Sequence, residues 1–249
     1  MLKMQRHEFI VHQVNLHNKV LITDLSDQIV VSHDTIRRDL NELSVAGKLI
    51  KIHGGAMSPS FLNGNDSHGD VYAYHQKRII ARKVISLIKD GMFVLTGGGT
   101  TVIEMARELP DGLKATFISG SIPALNEYAK HQTIEVIAIG DKISKNSRIT
   151  VGSEAISKIK ELRVDLCILG INAINLETGV SDNDWDIVQV KKAMIESASK
   201  LVCLTISEKI NTRQPIQICD SKKIDTLITE LPADAKILEP YKNAGIKII

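Results

Sequence analysis

Apolar positions in the first quarter of the chain fall into short helical stripes. Phe9, Ile10 and Val14 place a first helix over residues 3–15, followed by Leu16 and Val20, with its end near Asn18. Residues 23–29 read as a short second helix. Ile36, Leu40 and Leu43 then recur at i, i+4 and i+7, the inward stripe of a third helix that ends before Gly47, a residue suited to a helix C-terminus. Ser32 stands where its hydroxyl can cap this helix, and Asp34 in the first turn suits the positive end of the helix dipole. Residues 48–52 alternate in part, like one strand of a small wing, and His53-Gly54-Gly55-Ala56 supplies the turn. Three helices and a β-hairpin make a winged helix-turn-helix over residues 1–57.

The outer side of the third helix carries His33, Arg37 and Asn41 at steps of four, with Arg38 beside them. Arg and Asn are the side chains best shaped for paired hydrogen bonds to guanine and adenine edges. Asp34 and Glu42 lie four residues to either side of Arg38, which predicts surface ion pairs for it. Arg37 has no acid at those spacings, so base contact is expected from Arg37 and phosphate contact from Arg38. Taken alone these residues also fit an ordinary solvated helix; the capped, wing-flanked setting favours DNA recognition.

Residues 58–70 are rich in Ser, Gly, Asn and Asp without periodicity and read as a linker, with His68 a solvated loop residue. Beyond it the pattern changes. A long helix is expected from Val71 through Lys89, burying Ile79, Ile80, Val84, Leu87 and Ile88 and ended by Gly91. Short apolar runs recur at 92–95, 115–119, 134–139, 166–169, 201–205 and 226–229, with amphipathic patterns between them at 102–109, 122–130 and 187–199. Short continuous strands alternating with helices predict a doubly wound, largely parallel α/β domain over residues 71–249.

In such sheets ligands bind beyond the carboxyl ends of the strands. Thr96-Gly97-Gly98-Gly99-Thr100-Thr101 follows the first strand and opens a helix, a donor-rich turn suited to phosphate. It lacks the Gly-Lys-Ser/Thr of a P-loop and the third glycine of a dinucleotide fingerprint. Ser119-Gly120-Ser121 has the same character after the second strand, with helix capping as the competing use of its serines. Gly170-Ile171-Asn172 follows the fourth.

Composition narrows the classes. Hydrophobic content of 43% and charged content of 24% are those of a globular protein, and a net charge of +2 excludes a generally basic nucleic-acid coat. DNA binding must therefore come from local placement. Cys167, Cys203 and Cys219 are far apart and form no CxxC or Cys/His cluster, so neither disulfide, zinc nor any other cofactor is expected. No signal-peptide core or membrane-length run is present, which makes the cytoplasm the expected location.

Ser32-x-x-Thr35-Ile36-Arg37-Arg38-Asp39-Leu40-x-x-Leu43, then Gly47-x-Leu49 and His53-Gly54-Gly55-Ala56, resembles the DNA-binding domain of DeoR-type bacterial transcription regulators. The resemblance implies an operator-binding protein, usually a repressor and a homodimer or homotetramer. It places Ser32, Thr35, Arg37 and Arg38 on DNA, with Lys51 and His53 on the wing. Lys51 stands where arginine is more usual, which keeps the charge and loses the planar fork. Asp90-Gly91, Gly99-Thr100-Thr101, Gly152, Gly170, Gly179 and Lys191 resemble the sensor domain of the same family, similar in fold to ribose-5-phosphate isomerase and glucosamine-6-phosphate deaminase. That implies a phosphorylated sugar or related effector, with Gly99, Thr100 and Thr101 on the phosphate and Lys191 and Lys209 as cationic partners.

Departures from the family pattern are informative. Gly97 and Gly98 replace the frequent Asp-Ser, Ile206 replaces a frequent Asp, and Ser181-Asp182-Asn183-Asp184-Trp185-Asp186 is unusually acidic. Trp185 either stacks on a ligand or packs half-buried. Lys191 shares a stripe with Ile187, Met194 and Ala198, so it either snorkels past the core or enters the pocket. The alternative function, a sugar-phosphate isomerase or deaminase fused to a DNA-binding module, needs a carboxylate base, for which Asp182 and Asp184 are the candidates.

Overall fold

A computed structural model describes residues 1–59 and 71–249. The linker reading for 60–70, with His68, lies outside the described residues. The compact units are Met1–Tyr74 and His75–Ile249.

The first unit runs α1 (Lys3–His17), β1 (Lys19–Leu21), α2 (Ile22–Ile29), α3 (His33–Val45), β2 (Ile50–Ile52) and β3 (Gly55–Met57). Ile10, Val14, Leu25, Ile36, Leu40, Leu43 and Leu49 form its core, so the stripes expected of α1 and α3 do pack inward. Asn18 ends α1 in the left-handed region at φ 61°, and the Ser32 hydroxyl accepts from the Thr35 N–H at 3.3 Å as expected. Two details differ from the expectation. Gly55 and Ala56 belong to strand β3, not to the turn, because β3 pairs on both sides, with β2 and with β1. A side-chain carbon at Gly55 would collide with the Val20 carbonyl oxygen, so glycine is what lets β1 close on β3. β1 has only three residues and no alternation to announce it.

The second unit continues with α4 (Tyr74–Ile85), β4 (Phe93–Thr96), α5 (Thr100–Arg107), β5 (Thr116–Ser119), α6 (Ile122–Tyr128), β6 (Glu135–Ala138), β7 (Lys142–Ser144), β8 (Ile149–Val151) and α7 (Ser153–Glu161). Then follow β9 (Val164–Gly170), β10 (Ala173–Asn175), β11 (Gly179–Asp182), α8 (Trp185–Glu196), β12 (Ala198–Leu204), β13 (Ile216–Cys219), β14 (Thr226–Ile228), α9 (Glu239–Asn243) and β15 (Lys247–Ile248). Seven strands form one parallel sheet in the order β15-β14-β12-β9-β4-β5-β6. All six predicted strands lie in it.

α4 is shorter than the expected 71–89. Past Ile85 the chain tightens, with the Leu87 and Ile88 N–H groups bonding three residues back. Ile79 is exposed, because the buried stripe of α4 is Lys77, Ile80, Ala81 and Val84. Absent from the sequence expectation are the hairpin β7–β8, helix α7, and the antiparallel sheet β10-β11-β13.

The strand order fixes where a ligand can enter. From β4 the chain moves outward through β5 to β6, then returns to the other side of β4 with β9 and moves away through β12, β14 and β15. The direction reverses between β4 and β9, and the crevice above the carboxyl ends of those strands is the binding position of open α/β sheets.

Candidate DNA interface and effector pocket

On the first unit, Ser32, His33, Arg37, Arg38 and Asn41 are exposed along α3, as are Lys51 and His53 on the wing, and Thr35 is half-buried. The structure reverses the expected pairing of the two arginines. Arg37 Nη1 bonds the Asp34 carboxylate at 2.9 Å, while Glu42 is drawn to Lys3 of α1 at 2.7 Å. Among the described residues Arg38 has no ion pair. A carboxylate reaches i+3 as readily as i+4 on a helix, and α1 supplies Glu42 with a competing cation. The Arg37–Asp34 pair is exposed on both sides, so it contributes little and yields readily to a base or phosphate.

Lys51 donates to Asn41 Oδ1 at 2.5 Å, which ties the wing to α3. Behind the reading face, buried Asp39 accepts from Arg6 Nε at 2.5 Å and Arg6 Nη2 at 2.9 Å, and sits 2.9 Å from His7 Nε2. Burial pushes the Asp39 carboxyl up, but the hydrogen bonds from Arg6 and His7 outweigh it and hold the group below its usual range. Asp39 thereby clamps α1 to α3. The sequence reading missed it, although an acid beside Ile36, Leu40 and Leu43 was the available signal.

On the second unit, the Gly97–Gly99 turn sits at the reversal between β4 and β9. Gly97 N–H bonds Ile168 O at 3.0 Å, and Gly99 takes φ 111° to open α5. Gly98 lies against Ile149 of β8 and the Ser121 hydroxyl: a side-chain carbon there would stand 2.6 Å from Ile149 Cδ1 and 3.2 Å from Ser121 Oγ. Thr100 is half-buried and Thr101 buried at the start of α5. Ser121 precedes α6 without capping it by its side chain, so capping is not what that hydroxyl does here. The Ser119 hydroxyl donates to Thr96 O at 3.0 Å and accepts from Ser121 N–H at 3.1 Å, bracing β5 against β4.

Lys191 leaves the apolar stripe of α8 and donates to Gly170 O at 3.1 Å and Asp182 Oδ2 at 2.8 Å. It enters the site. Asp182 also accepts from Asn172 Nδ2 at 3.3 Å, and Lys209 Nζ lies 3.5 Å from Asn172 Oδ1. Gly170, Asp182, Lys191, Asn172 and Lys209 thus form one polar chain at the ends of β9 and β11. Burial drives the Asp182 carboxyl up, and the charge and hydrogen bond of Lys191 together with the Asn183 and Asn172 N–H groups bring it below normal. Burial lowers the Lys209 ammonium to about 7, with further depression from Lys77 and Lys191 and opposition from Asp182 and Glu208. Lys77, buried on α4 and absent from the sequence-predicted set, is lowered by burial to about 8 against Glu104 and Glu208. A cavity of about 20 Å³ lies under the turn, lined by Thr96, Gly97, Gly98, Gly120, Thr150 and Lys191 with apolar neighbours. That is room for one water.

Asp184 is spent capping α8, accepting from Ile187 N–H at 3.4 Å, and Trp185 is 65% exposed, contrary to the half-buried packing alternative. No group of three or more His, Cys, Asp or Glu side chains able to hold a metal ion occurs among the described residues. No helix among them is long and apolar enough to cross a membrane.

A winged helix-turn-helix joined to a parallel α/β unit with a polar crevice defines a DNA-binding regulator with a sensor domain. Residues 6–61 match the model of the DeoR-like helix-turn-helix domain, and residues 72–231 match that of the DeoR C-terminal sensor domain. The chain belongs to the DeoR family of transcription regulators. It is 30% identical to the HTH-type transcriptional regulator GlpR of Haloferax volcanii, over 100% of this chain and 98% of that protein. It is 29% identical to the HTH-type transcriptional repressor GlcR of Bacillus subtilis, over 100% and 96%. These relatives are regulators, not enzymes. Ribose-5-phosphate isomerase A of Methanocaldococcus jannaschii aligns in structure over 53% of this chain and 52% of its own, at 21% identity and a TM-score of 0.40.

Proposed function

We propose that this chain is an operator-binding repressor whose sensor unit takes up a phosphorylated sugar or related metabolite and then releases DNA. The observation that carries this is the buried Lys191–Asp182–Asn172–Lys209 chain beside a glycine-rich helix start at the β4/β9 reversal. Oriented donors at Gly97, Gly98, Gly99, Thr100 and Thr101 suit the phosphate. Ser121, Gly170, Asp182, Lys191 and Lys209 suit the sugar hydroxyls and remaining charge, with Ser119 bracing the loop. Linkage requires the effector to prefer an arrangement other than the DNA-bound one.

In this reading residues 1–57 contact DNA, 58–70 link and 71–249 sense. Arg37 reads a base edge, Arg38 and Lys51 neutralise phosphates, and Ser32, His33, Thr35, Asn41 and His53 complete the face. A homodimer or homotetramer follows from the short reach of one recognition helix. The repressor name of the Bacillus relative supports repression.

The test is a mobility shift on DNA from upstream of the protein's own gene, titrated with pentose, hexose and hexosamine phosphates. Release by one of them supports the whole reading. Specific binding with no release by any of them would remove the sugar-phosphate effector and leave the DNA function.

A further inference from the structure

The two edges of the seven-stranded sheet are finished differently. β15 has two residues, one of them Lys247, the short and lysine-bearing form in which an edge strand resists pairing. β6 has four residues, Glu-Val-Ile-Ala, with neither lysine nor proline. Among the described residues its one strand partner is β5. The Glu135 and Ile139 N–H groups donate to Ala115 O at 3.0 Å and Ser119 O at 2.8 Å, so residues 135, 137 and 139 turn their backbone toward β5. Val136 and Ala138, at the alternate positions, therefore present their N–H and C=O groups to the open side. Ile137 is 47% exposed, and Ala138 is exposed beside it.

The edge continues past the strand. β7 pairs with β8, and Thr150, the register partner of Ile143, donates its hydroxyl to Ile139 O at 2.8 Å, which sets the hairpin against the carboxyl end of β6. Ile143 is 46% exposed. Charge stands at the two ends of this edge. Glu135 begins β6 and Lys142 opens β7; both are exposed, and neither has an ion pair among the described residues. Asp141 between them is engaged elsewhere, accepting from the Glu154 and Ala155 N–H groups at 3.1 and 3.2 Å at the start of α7. An edge with its acid at one end and its lysine at the other is complementary to itself when turned end for end.

We propose that β6 is the surface on which a second copy of this chain docks, antiparallel, about a two-fold axis at Ile137. This rests on the reading above that operator binding takes more than one copy. A two-fold axis perpendicular to the sheet lays two copies of one strand side by side in opposite directions. Centred on Ile137, it sets Val136 against Ala138 of the second copy, and Ala138 against Val136 of the second copy, each pair exchanging N–H and C=O bonds. Ile137 meets its own copy at the closely spaced position between them, so the exposed isoleucine is covered. Glu135 then lies toward the end of the second strand that Lys142 follows.

The experiment uses the full chain and measures its mass by sedimentation, from low to high protein concentration, for the wild type, Ile137→Lys and Ala138→Pro. Lysine sets like charges opposite each other at the axis, and proline removes an N–H that faces the open side without touching those that serve β5. Both are expected to halve the mass, from dimer to monomer or from tetramer to dimer, with the dissociation constant raised about tenfold or more. Glu135→Lys alone should weaken association, and Lys142→Glu added to it should restore it. Ile137→Cys brings its sulfur to its copy across the axis at a spacing a disulfide accepts, so a mild oxidant should cross-link this variant into dimers and leave the wild type unlinked. An unchanged mass in Ile137→Lys with no cross-link in Ile137→Cys would overturn the β6 interface while an oligomer held elsewhere stood. A mass lowered by Ile137→Lys without that cross-link would overturn the antiparallel register. Wild-type protein that stays monomeric at every concentration, with and without DNA from upstream of its gene, overturns both the interface and the reading it rests on. If Ala138→Pro does not fold, the charge exchange and the cross-link decide the matter.

Discussion

Side chains on buried stripes divide into those that fill the core and those that do something else. Lys77 and Lys191 each stand at helical spacing among Ile, Val, Ala and Met, and the sequence shows both. Lys191 attracts notice through its family resemblance, whereas Lys77 lies in a stretch read only for its apolar residues, which is why it escapes. Arg37 shows the opposite failure. Spacing alone cannot tell whether Asp34 turns to i+3 or i+4, since both are within reach, and only the position of α1 explains why Glu42 is taken elsewhere. Because its pair with Asp34 is exposed, Arg37 remains able to read a base. Arg37→Ala is expected to cost about 1–3 kcal/mol on the operator and to relax base preference, while Lys51→Ala weakens operator and random DNA alike. Equal losses on both DNAs for Arg37→Ala, measured by competition binding, would remove the base contact from Arg37.

Gly98 makes a further argument at this scale. The family's frequent serine would have to push Ile149 of β8 aside, since a side-chain carbon here would stand 2.6 Å from Ile149 Cδ1. Gly98→Ser is expected to lower stability by about 1–3 kcal/mol through overpacking. Adding Ile149→Ala should recover part of that loss, because neighbours in direct contact are not additive. Thermal melts of the two single variants and the double variant give the coupling, and strict additivity would refute the exchange of space between Gly98 and Ile149.

At the scale of elements, the long and strongly patterned pieces were legible. The six main strands and helices α1, α3, α5, α6 and α8 stand where apolar period and glycine punctuation put them. The illegible pieces are short and depend on partners distant in sequence. β1 exists because Gly55 lets β3 approach it, and β10-β11-β13 joins residues 173–182 to residues 216–219. The clamp between α1 and α3 belongs to the same class: Asp39 is visible as an odd acid on an apolar stripe, but its partners Arg6 and His7 are more than thirty residues away. Asp39→Ala leaves Arg6 without its carboxylate at a nearly dry helix contact and is expected to destabilise the first unit by about 3 kcal/mol. The acid dependence follows from its lowered pKa. Stability supplied by Asp39 is complete above the usual aspartate range and is lost as pH falls through the folded value. Denaturant melts of wild type and Asp39→Asn from neutral to acid pH check this, and curves that stay parallel to the lowest pH would show that the clamp contributes nothing.

At the scale of the whole molecule, regulation becomes a matter of charge. Lys209 faces Lys77 from α4, Lys191 from α8, Asp182 from β11 and its neighbour Glu208, and its ammonium is lowered to about 7 as Lys77 is lowered to about 8. A lysine lowered on folding binds fewer protons in the folded chain than in the unfolded one, between its folded pKa and its ordinary value near 10.5. Stability is therefore expected to rise with pH from about 7 upward. Below that, both states are protonated and the full cost of burying the cation is present. Binding a phosphate reverses the preference, because the anion favours the charged ammonium. Effector uptake near pH 8 should accordingly draw in protons, and effector affinity should fall as pH rises beyond about 8. The ligand's own second ionisation, near about 6, is complete in this range and cannot produce the trend. Calorimetry of effector binding in two buffers of different ionisation heat measures the protons taken up directly. Lys209→Met is expected to reduce that uptake and to flatten the rise in melting temperature from neutral to alkaline pH. Effector binding with no proton uptake in wild type, or a Lys209→Met protein with the same alkaline rise, would mean that the crevice holds its lysines charged already. The lysines would then act only as a fixed attraction for the ligand, with no share in how pH sets its affinity.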